Sequence, residues 1–124
     1  EINQVFDLDE EKLKWAIDEF EVELNWKDMW SMEDAKQRLK DGWYFNILEI
    51  DNKIVGWVWF NILENELCNL YVHKDYRNTG YGGQLIYSIT NLVNKERIDI
   101  YSKIDVWNIK SINVFKKCNW EESK

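Results

Sequence analysis

The chain has no proline, one histidine, two cysteines and five glycines in 124 residues. Each scarcity removes a class of protein. Without proline there is neither a polyproline linker nor a collagen-like segment. The lone histidine, His73, offers no metal site. Cys68 and Cys118 stand far apart and outside any metal or redox spacing, so they read as reduced thiols of a cytoplasmic protein. Positive charge is short as well: sixteen Lys and Arg face twenty-three Asp and Glu, a net charge of −7. Phosphate binding along a nucleic acid needs a basic surface, so nucleic acid is not the expected main partner. The longest clean apolar run, Ile54 to Phe60, is a third of what a membrane span requires (~20 residues), and no leader peptide is visible. No membrane association is expected.

Aromatic residues are abundant instead. Eight Trp in a chain that is 45% hydrophobic exclude disorder. The length is that of one domain, 1–124, able to bury a single core. Acid is unevenly spread. Residues 1–34 hold twelve Asp and Glu against three Lys, whereas the remainder is close to neutral. This acidic arm is either a solvated helix face or an acidic wall that attracts a cationic substrate.

Periodicity gives the order of elements. Ile2 to Phe6 reads as a short strand. Leu13, Ala16, Ile17, Phe20 and Leu24 recur at helical spacing, predicting a helix over about 9–24. Ser31 caps a second helix over roughly 32–41, which Gly42 ends. Trp43 to Ile50 and Ile54 to Asn61 are strands joined by the turn residues Asp51-Asn52-Lys53. The second strand is apolar on both faces, so it is expected to be covered on both. Glu66 to Val72 is a further strand. Leu85, Ile86, Ile89, Leu92 and Val93 form a helical stripe. Ile98 to Val106 is a strand, and Asn108 to Lys117 a short helix with Ile109, Ile112 and Phe115 inward. The order β α α β β β α β α is an α/β (α+β) arrangement with a right-handed crossover and a mixed central sheet flanked by helices.

The segment from His73 to Gly83 has three glycines and almost no apolar residue. It joins a strand to a helix, where backbone N–H groups and the helix dipole favour a phosphate or pyrophosphate. It is not the dinucleotide fingerprint, because Leu85 stands three residues after Gly82, and no Gly-Lys-Ser/Thr follows. A plain glycine turn remains the alternative.

Arg77-x-x-Gly80-x-Gly82, five residues after Val72, resembles the acetyl-CoA pyrophosphate loop of the GCN5-related N-acetyltransferase (GNAT) superfamily. Leu67-x-x-Leu70-x-Val72 matches the strand leading in. Ile54-Val55-Gly56 matches the family's third strand, and Asn108 with Ser111, Phe115 and Asn119-Trp120 resembles its C-terminal pattern. The resemblance covers nearly the whole chain. It implies an N-acetyltransferase that moves acetyl from acetyl-CoA to a primary amine, on a cationic small molecule or a peptide, by direct attack. The backbone of Leu70, Tyr71 and Val72 would pair with the pantetheine arm, with an N–H near Tyr71 on the thioester oxyanion. Arg77, Asn78, Thr79, Gly80, Tyr81, Gly82 and Gly83 would hold the pyrophosphate, and Asn108 would touch the cofactor. Glu66 is the expected general base, ahead of Asp105 and Glu49. His73 is expected to be exposed.

The resemblance also has departures. Phe115 stands where many relatives carry a Tyr that protonates the leaving thiolate, and a phenyl ring donates no proton. Tyr81 or water would serve instead, or the chain is an acyl-CoA-binding module without turnover. Lys103 occupies a position where peptide-acetylating relatives often have Glu. Asn119 replaces a family Gly, and the C-terminal strands look truncated, leaving the acceptor site open or for a second subunit of a homodimer to complete. Trp57 and Trp59 read as core, whereas Trp26, Trp30 and Trp43 are freer to meet a cationic acceptor.

Overall fold

The computed structural model describes residues 1–24, 29–94, 99–103 and 109–121. Its elements are β1 (Ile2–Gln4), α1 (Glu10–Leu24), α2 (Met32–Lys40), β2 (Tyr44–Ile50), β3 (Lys53–Asn61), β4 (Glu66–Val72), a 3₁₀ turn (Lys74–Tyr76), α3 (Tyr81–Asn94) and α4 (Ile109–Lys117). Local chemistry explains most boundaries. Asp51 and Asn52 both have positive φ, 52° and 66°, as a two-residue type I′ hairpin turn between β2 and β3 requires. Ser31 and Asp34 cap α2 reciprocally: the Ser31 Oγ accepts from the Asp34 N–H at 3.1 Å, and the Asp34 carboxylate accepts from the Ser31 N–H at 2.9 Å. Beyond the C-cap Asp41, Gly42 takes a φ of 87°, which a side chain would strain.

The four strands lie in chain order, each antiparallel to the next. β1 is shorter than expected: Val5 still donates to the Phe45 carbonyl, but Phe6 is 74% exposed. After α3 the chain returns beside β4 in parallel. Tyr101 bridges to Glu66, the Leu67 N–H donates to the Tyr101 carbonyl at 2.8 Å, and Ser102 Oγ donates to the Leu67 carbonyl at 2.7 Å. Among the described residues the sheet itself is antiparallel, and this single parallel bridge is all that stands for the expected mixed sheet. The expected strand over 98–106 is described only at 99–103; Asp105, Asn108 and Trp26 lie outside the described residues.

β3 is covered on both faces, as its double apolar pattern predicts. On one face Phe45, Ile47, Ile54, Trp57, Trp59 and Tyr71 pack against Leu13, Ala16 and Phe20 of α1, Trp30, and Ala35 of α2. On the other, Leu48, Val55, Val58, Phe60 and Leu67 pack against Leu85, Ile86, Ile89 and Val93 of α3 and Phe115 of α4. Trp30 is a correction to the sequence reading. It is 2% exposed, with its ring 5.2–5.3 Å from those of Phe45, Trp57 and Trp59. The helices alone do not reveal this, because Trp30 precedes α2 and carries no periodicity of its own. Among the described residues no helix is long and apolar enough to cross a membrane.

Candidate active site

β4 is not a regular strand. Trp57 pairs with Tyr71 and Trp59 with Cys68, so Asn69 and Leu70 together face the single residue Val58. Asn69 has a φ of 55°, the left-handed conformation of the first residue in one type of β-bulge. A bulge takes an extra residue out of the ladder and re-aims the strand beyond it, here Leu70, Tyr71 and Val72. β3 closes tightly on this segment at Gly56, where a Cβ would come within 2.9 Å of the Tyr71 carbonyl oxygen. Only glycine allows that approach of two backbones.

The chain leaves β4 through His73, whose N–H donates to the Val55 carbonyl at 2.8 Å, and passes the 3₁₀ turn into α3. Asn78 and Gly80 have positive φ, 64° and 87°. Thr79 turns its hydroxyl back onto the Tyr76 carbonyl at 2.7 Å, so it does not cap the helix. The first intrahelical bond runs from the Gln84 N–H to the Gly80 carbonyl at 3.0 Å. Among the described residues no side chain caps the N–H groups of Tyr81, Gly82 and Gly83. Arg77 to Gly80 are exposed and Tyr81 to Gly83 half-buried. Orphan donors, a positive dipole end and small residues make an anion cradle here.

An acid from α1 completes this corner. Glu23 accepts from both the Tyr71 hydroxyl and the Arg77 guanidinium. Arg77 also donates through Nε to the Val72 carbonyl at 2.8 Å, and its guanidinium lies 5.5 Å from the Tyr71 ring centroid. Burial, then the Glu23 carboxylate, push the Tyr71 hydroxyl above its ordinary pKa, so it stays protonated. The sequence reading missed Glu23. Its signal is position: three residues after Phe20 and seven after Ala16, it falls on the inward face of α1.

His73 is corrected. Its side chain is only 14% exposed, with its ring 5.1 Å from that of Phe20, and its Nδ1 accepts from the Asp75 N–H. Glu66 sits at the far end of β4, opposite Asn61 and beside Tyr101. At ~3.3 Å per strand residue, five residues separate it from Tyr71 by roughly 15 Å. Phe115 is 5% exposed, edge-on to Trp120 at 4.7 Å. Burial pushes the Cys68 thiol up to about 11, with Arg38 opposing. Of the aromatic faces foreseen for a cationic acceptor, Trp43 holds the chain's own Arg38, 4.6 Å from its ring centroid; Arg38 also lies 5.1 Å from that of the core residue Trp59, and Lys53 lies 5.4 Å from that of Trp15. Among the described residues no three His, Cys, Asp or Glu side chains converge as metal ligands.

Residues 10–120 match the profile of the acetyltransferase (GNAT) family, and the chain belongs to that family. Family membership makes it an acyltransferase. Solved structures agree on the fold. An aminoglycoside acetyltransferase from an uncultured soil metagenomic sample superposes with a TM-score of 0.81 at 19% identity, covering 100% of this chain and 91% of that one. A ribosomal-protein-alanine N-acetyltransferase from Brucella melitensis gives 0.75 at 20% identity, covering 100% and 86%. An aminoglycoside N-acetyltransferase solved in complex with CoA gives 0.77 at 18% identity, covering 100% and 93%. No curated protein sequence matches the chain.

Proposed function

We propose that residues 1–124 form one acetyltransferase domain that moves acetyl from acetyl-CoA to a primary amine on a cationic small molecule or peptide, by direct attack on the thioester. The observation that carries this reading is the uncapped N-terminus of α3, with its orphan N–H groups at Tyr81, Gly82 and Gly83, directly downstream of the bulged end of β4. In this reading Asn78 to Gly83 take the pyrophosphate. The backbone of Leu70 to Val72 takes the pantetheine arm, and an N–H there stabilises the oxyanion as the amine adds. Asn108 is assigned a cofactor contact by family pattern. The bound solved relative supports CoA as the carrier, and the aminoglycoside relatives support an amine on a small molecule.

Glu66 is the proposed base, reaching the amine through water, since it lies too far along β4 from Tyr71 for direct transfer. Arg77 takes part in cofactor binding from the base of the loop, where Glu23 and the Val72 carbonyl now hold it. The Glu23 carboxylate places one member of the acidic arm beside the site, where Arg77 already balances its charge.

The test is release of free CoA thiol across a panel of polyamines, aminosugars and lysine peptides, beside thermal stabilisation by acetyl-CoA. Stabilisation with turnover on at least one amine is expected; no stabilisation overturns the reading. The buried phenyl ring of Phe115 favours a second reading, a binding module without transfer. Stabilisation by acetyl-CoA with no CoA release on any amine would select it. In the first reading Phe115→Tyr leaves acetyl-CoA affinity within twofold and raises turnover if thiolate protonation limits the rate.

A further inference from the structure

The bulge in β4 needs a cause. Asn69 holds a left-handed conformation that most side chains avoid, and a one-residue slip there would reverse which way Leu70 and Tyr71 face. Nothing in the β3–β4 ladder itself fixes that slip, because Val58 faces both Asn69 and Leu70.

Arg38 supplies the restraint from outside the sheet. It lies in the last turn of α2, half-buried, and its Nη1 donates to the Asn69 Oδ1 at 2.9 Å across 31 residues of chain. Its guanidinium sits against the rings of Trp43 and Trp59, and Trp59 is fully buried. Trp59 in turn pairs with Cys68, the residue just before the bulge. Among the described residues Arg38 makes no ion pair with a carboxylate. Asp34, one turn earlier on α2, offsets part of its charge from beyond ion-pair distance, and the guanidinium itself is committed to two indole faces and a side-chain amide. Three fixed contacts leave it little rotamer freedom, which suits a strut.

We propose that Arg38 is a positioning residue for acetyl transfer: by holding the Asn69 amide from α2, it fixes the β4 bulge that aims the backbone of Leu70 and Tyr71 at the thioester carbonyl. The proposal rests on the acetyl-CoA reading above. Without the strut, Asn69 relaxes toward an ordinary extended conformation, and the donor aimed at the acetyl oxygen turns away. The pyrophosphate cradle lies beyond His73 and is untouched. The loss is therefore confined to recognition of the acetyl group.

The experiment compares affinities for acetyl-CoA and CoA by calorimetry in the full chain. Wild type is expected to bind acetyl-CoA about tenfold more tightly. Arg38→Met should bring that ratio to near one while CoA affinity stays within twofold, so KM for acetyl-CoA should rise about tenfold, and kcat should fall as well because the transition-state oxyanion loses its donor. Glycine adopts positive φ freely, so Asn69→Gly should keep the wild-type ratio, and Arg38→Met/Asn69→Gly should recover most of it. Should Arg38→Met fail to fold, Asn69→Ala against Asn69→Gly asks the same question: alanine should lose the ratio and glycine keep it. A wild-type chain that binds neither ligand overturns the acetyl-CoA reading and this proposal with it, whereas one that binds both equally overturns this proposal alone. A wild-type preference that Arg38→Met, or Asn69→Ala in its place, leaves intact overturns the proposal alone, as does a failure of glycine at position 69 to behave better than alanine.

Discussion

The two faces of the sheet are built from different materials. Against α1 and α2 the core is aromatic: Phe20, Trp30, Phe45, Trp57, Trp59 and Tyr71, with Phe45 and Trp59 stacked at 3.9 Å. Against α3 and α4 it is mainly aliphatic: Leu48, Val55, Val58, Leu67, Leu85, Ile86, Ile89 and Val93, joined by Phe60 and Phe115. The aromatic face buries large area per residue, but the indole N–H groups of Trp30, Trp57 and Trp59 are buried there without a partner among the described residues. Each such orphan costs about 1–3 kcal/mol. Among the described residues the aliphatic face carries one buried polar residue, Asn46, whose amide N–H donates to Ser88 Oγ at 2.7 Å while its Oδ1 is buried without a partner. The face that bears the uncapped helix thus carries one orphaned acceptor against three orphaned donors on the aromatic face. The face beneath the acidic arm is held by ring contacts and tolerates unsatisfied donors.

The sharpest expected effect separates binding from stability on the aliphatic side. A Cβ at Gly82 would meet Val114 at only 3.5 Å, an ordinary contact, so Gly82→Ala should fold normally. Gly82→Trp covers the orphan N–H groups and should weaken acetyl-CoA binding at least 100-fold, about 2.7 kcal/mol. Calorimetric titration of the two variants checks it, and retained affinity in Gly82→Trp would contradict the cradle.

Next comes the contrast in packing. Trp59→Ala should cost about 3–5 kcal/mol, since it opens a large cavity and removes the ring under Arg38. Ile89→Ala should cost about 2–3 kcal/mol. Urea midpoints at constant slope measure both, and equal losses would mean that the aromatic face has no special weight. Trp57→Phe sharpens the same contrast from the other direction. It removes buried volume but also an orphan donor, so the net change should be about 1 kcal/mol or less. A loss well above that would show that the indole N–H has a partner in solution.

Much of this was legible where a feature is local. The Asp51-Asn52 turn, the Ser31 cap, the span of β4 and the glycine loop each carry their signal within a few residues. The double apolar pattern of β3 declared a strand covered twice. What failed to show depends on elements far apart in the chain. Trp30 and His73 look like loop residues, and only the placement of α1 and α2 over the sheet buries them. The β4 bulge is a mismatch between two strands, visible in neither alone, although Asn at 69 suits it. Glu23 reads as one more acid in an acidic arm until α1 brings it to Tyr71 and Arg77.

An effect of similarly small size lies at the helix starts, where the two faces differ again. α2 spends its own N-terminal donors on Ser31 and Asp34, whereas α3 leaves its donors for a ligand. Ser31→Ala should therefore cost about 1 kcal/mol, and no residue at the start of α3 has an equivalent to lose. The pair also responds to pH. The backbone N–H of Ser31 holds the Asp34 carboxyl below its ordinary value of 3.8. A carboxyl with a lowered folded pKa stabilises fully above its unfolded value and loses that contribution as pH falls through the folded one. Asp34→Asn should thus be less stable than wild type at pH 7, and the difference should shrink on acidification below pH ~4 as the wild-type carboxyl protonates. Thermal midpoints of the two proteins from pH 7 to pH 3 measure the gap. A gap that stays constant over that range would mean that Asp34 caps α2 without its charge.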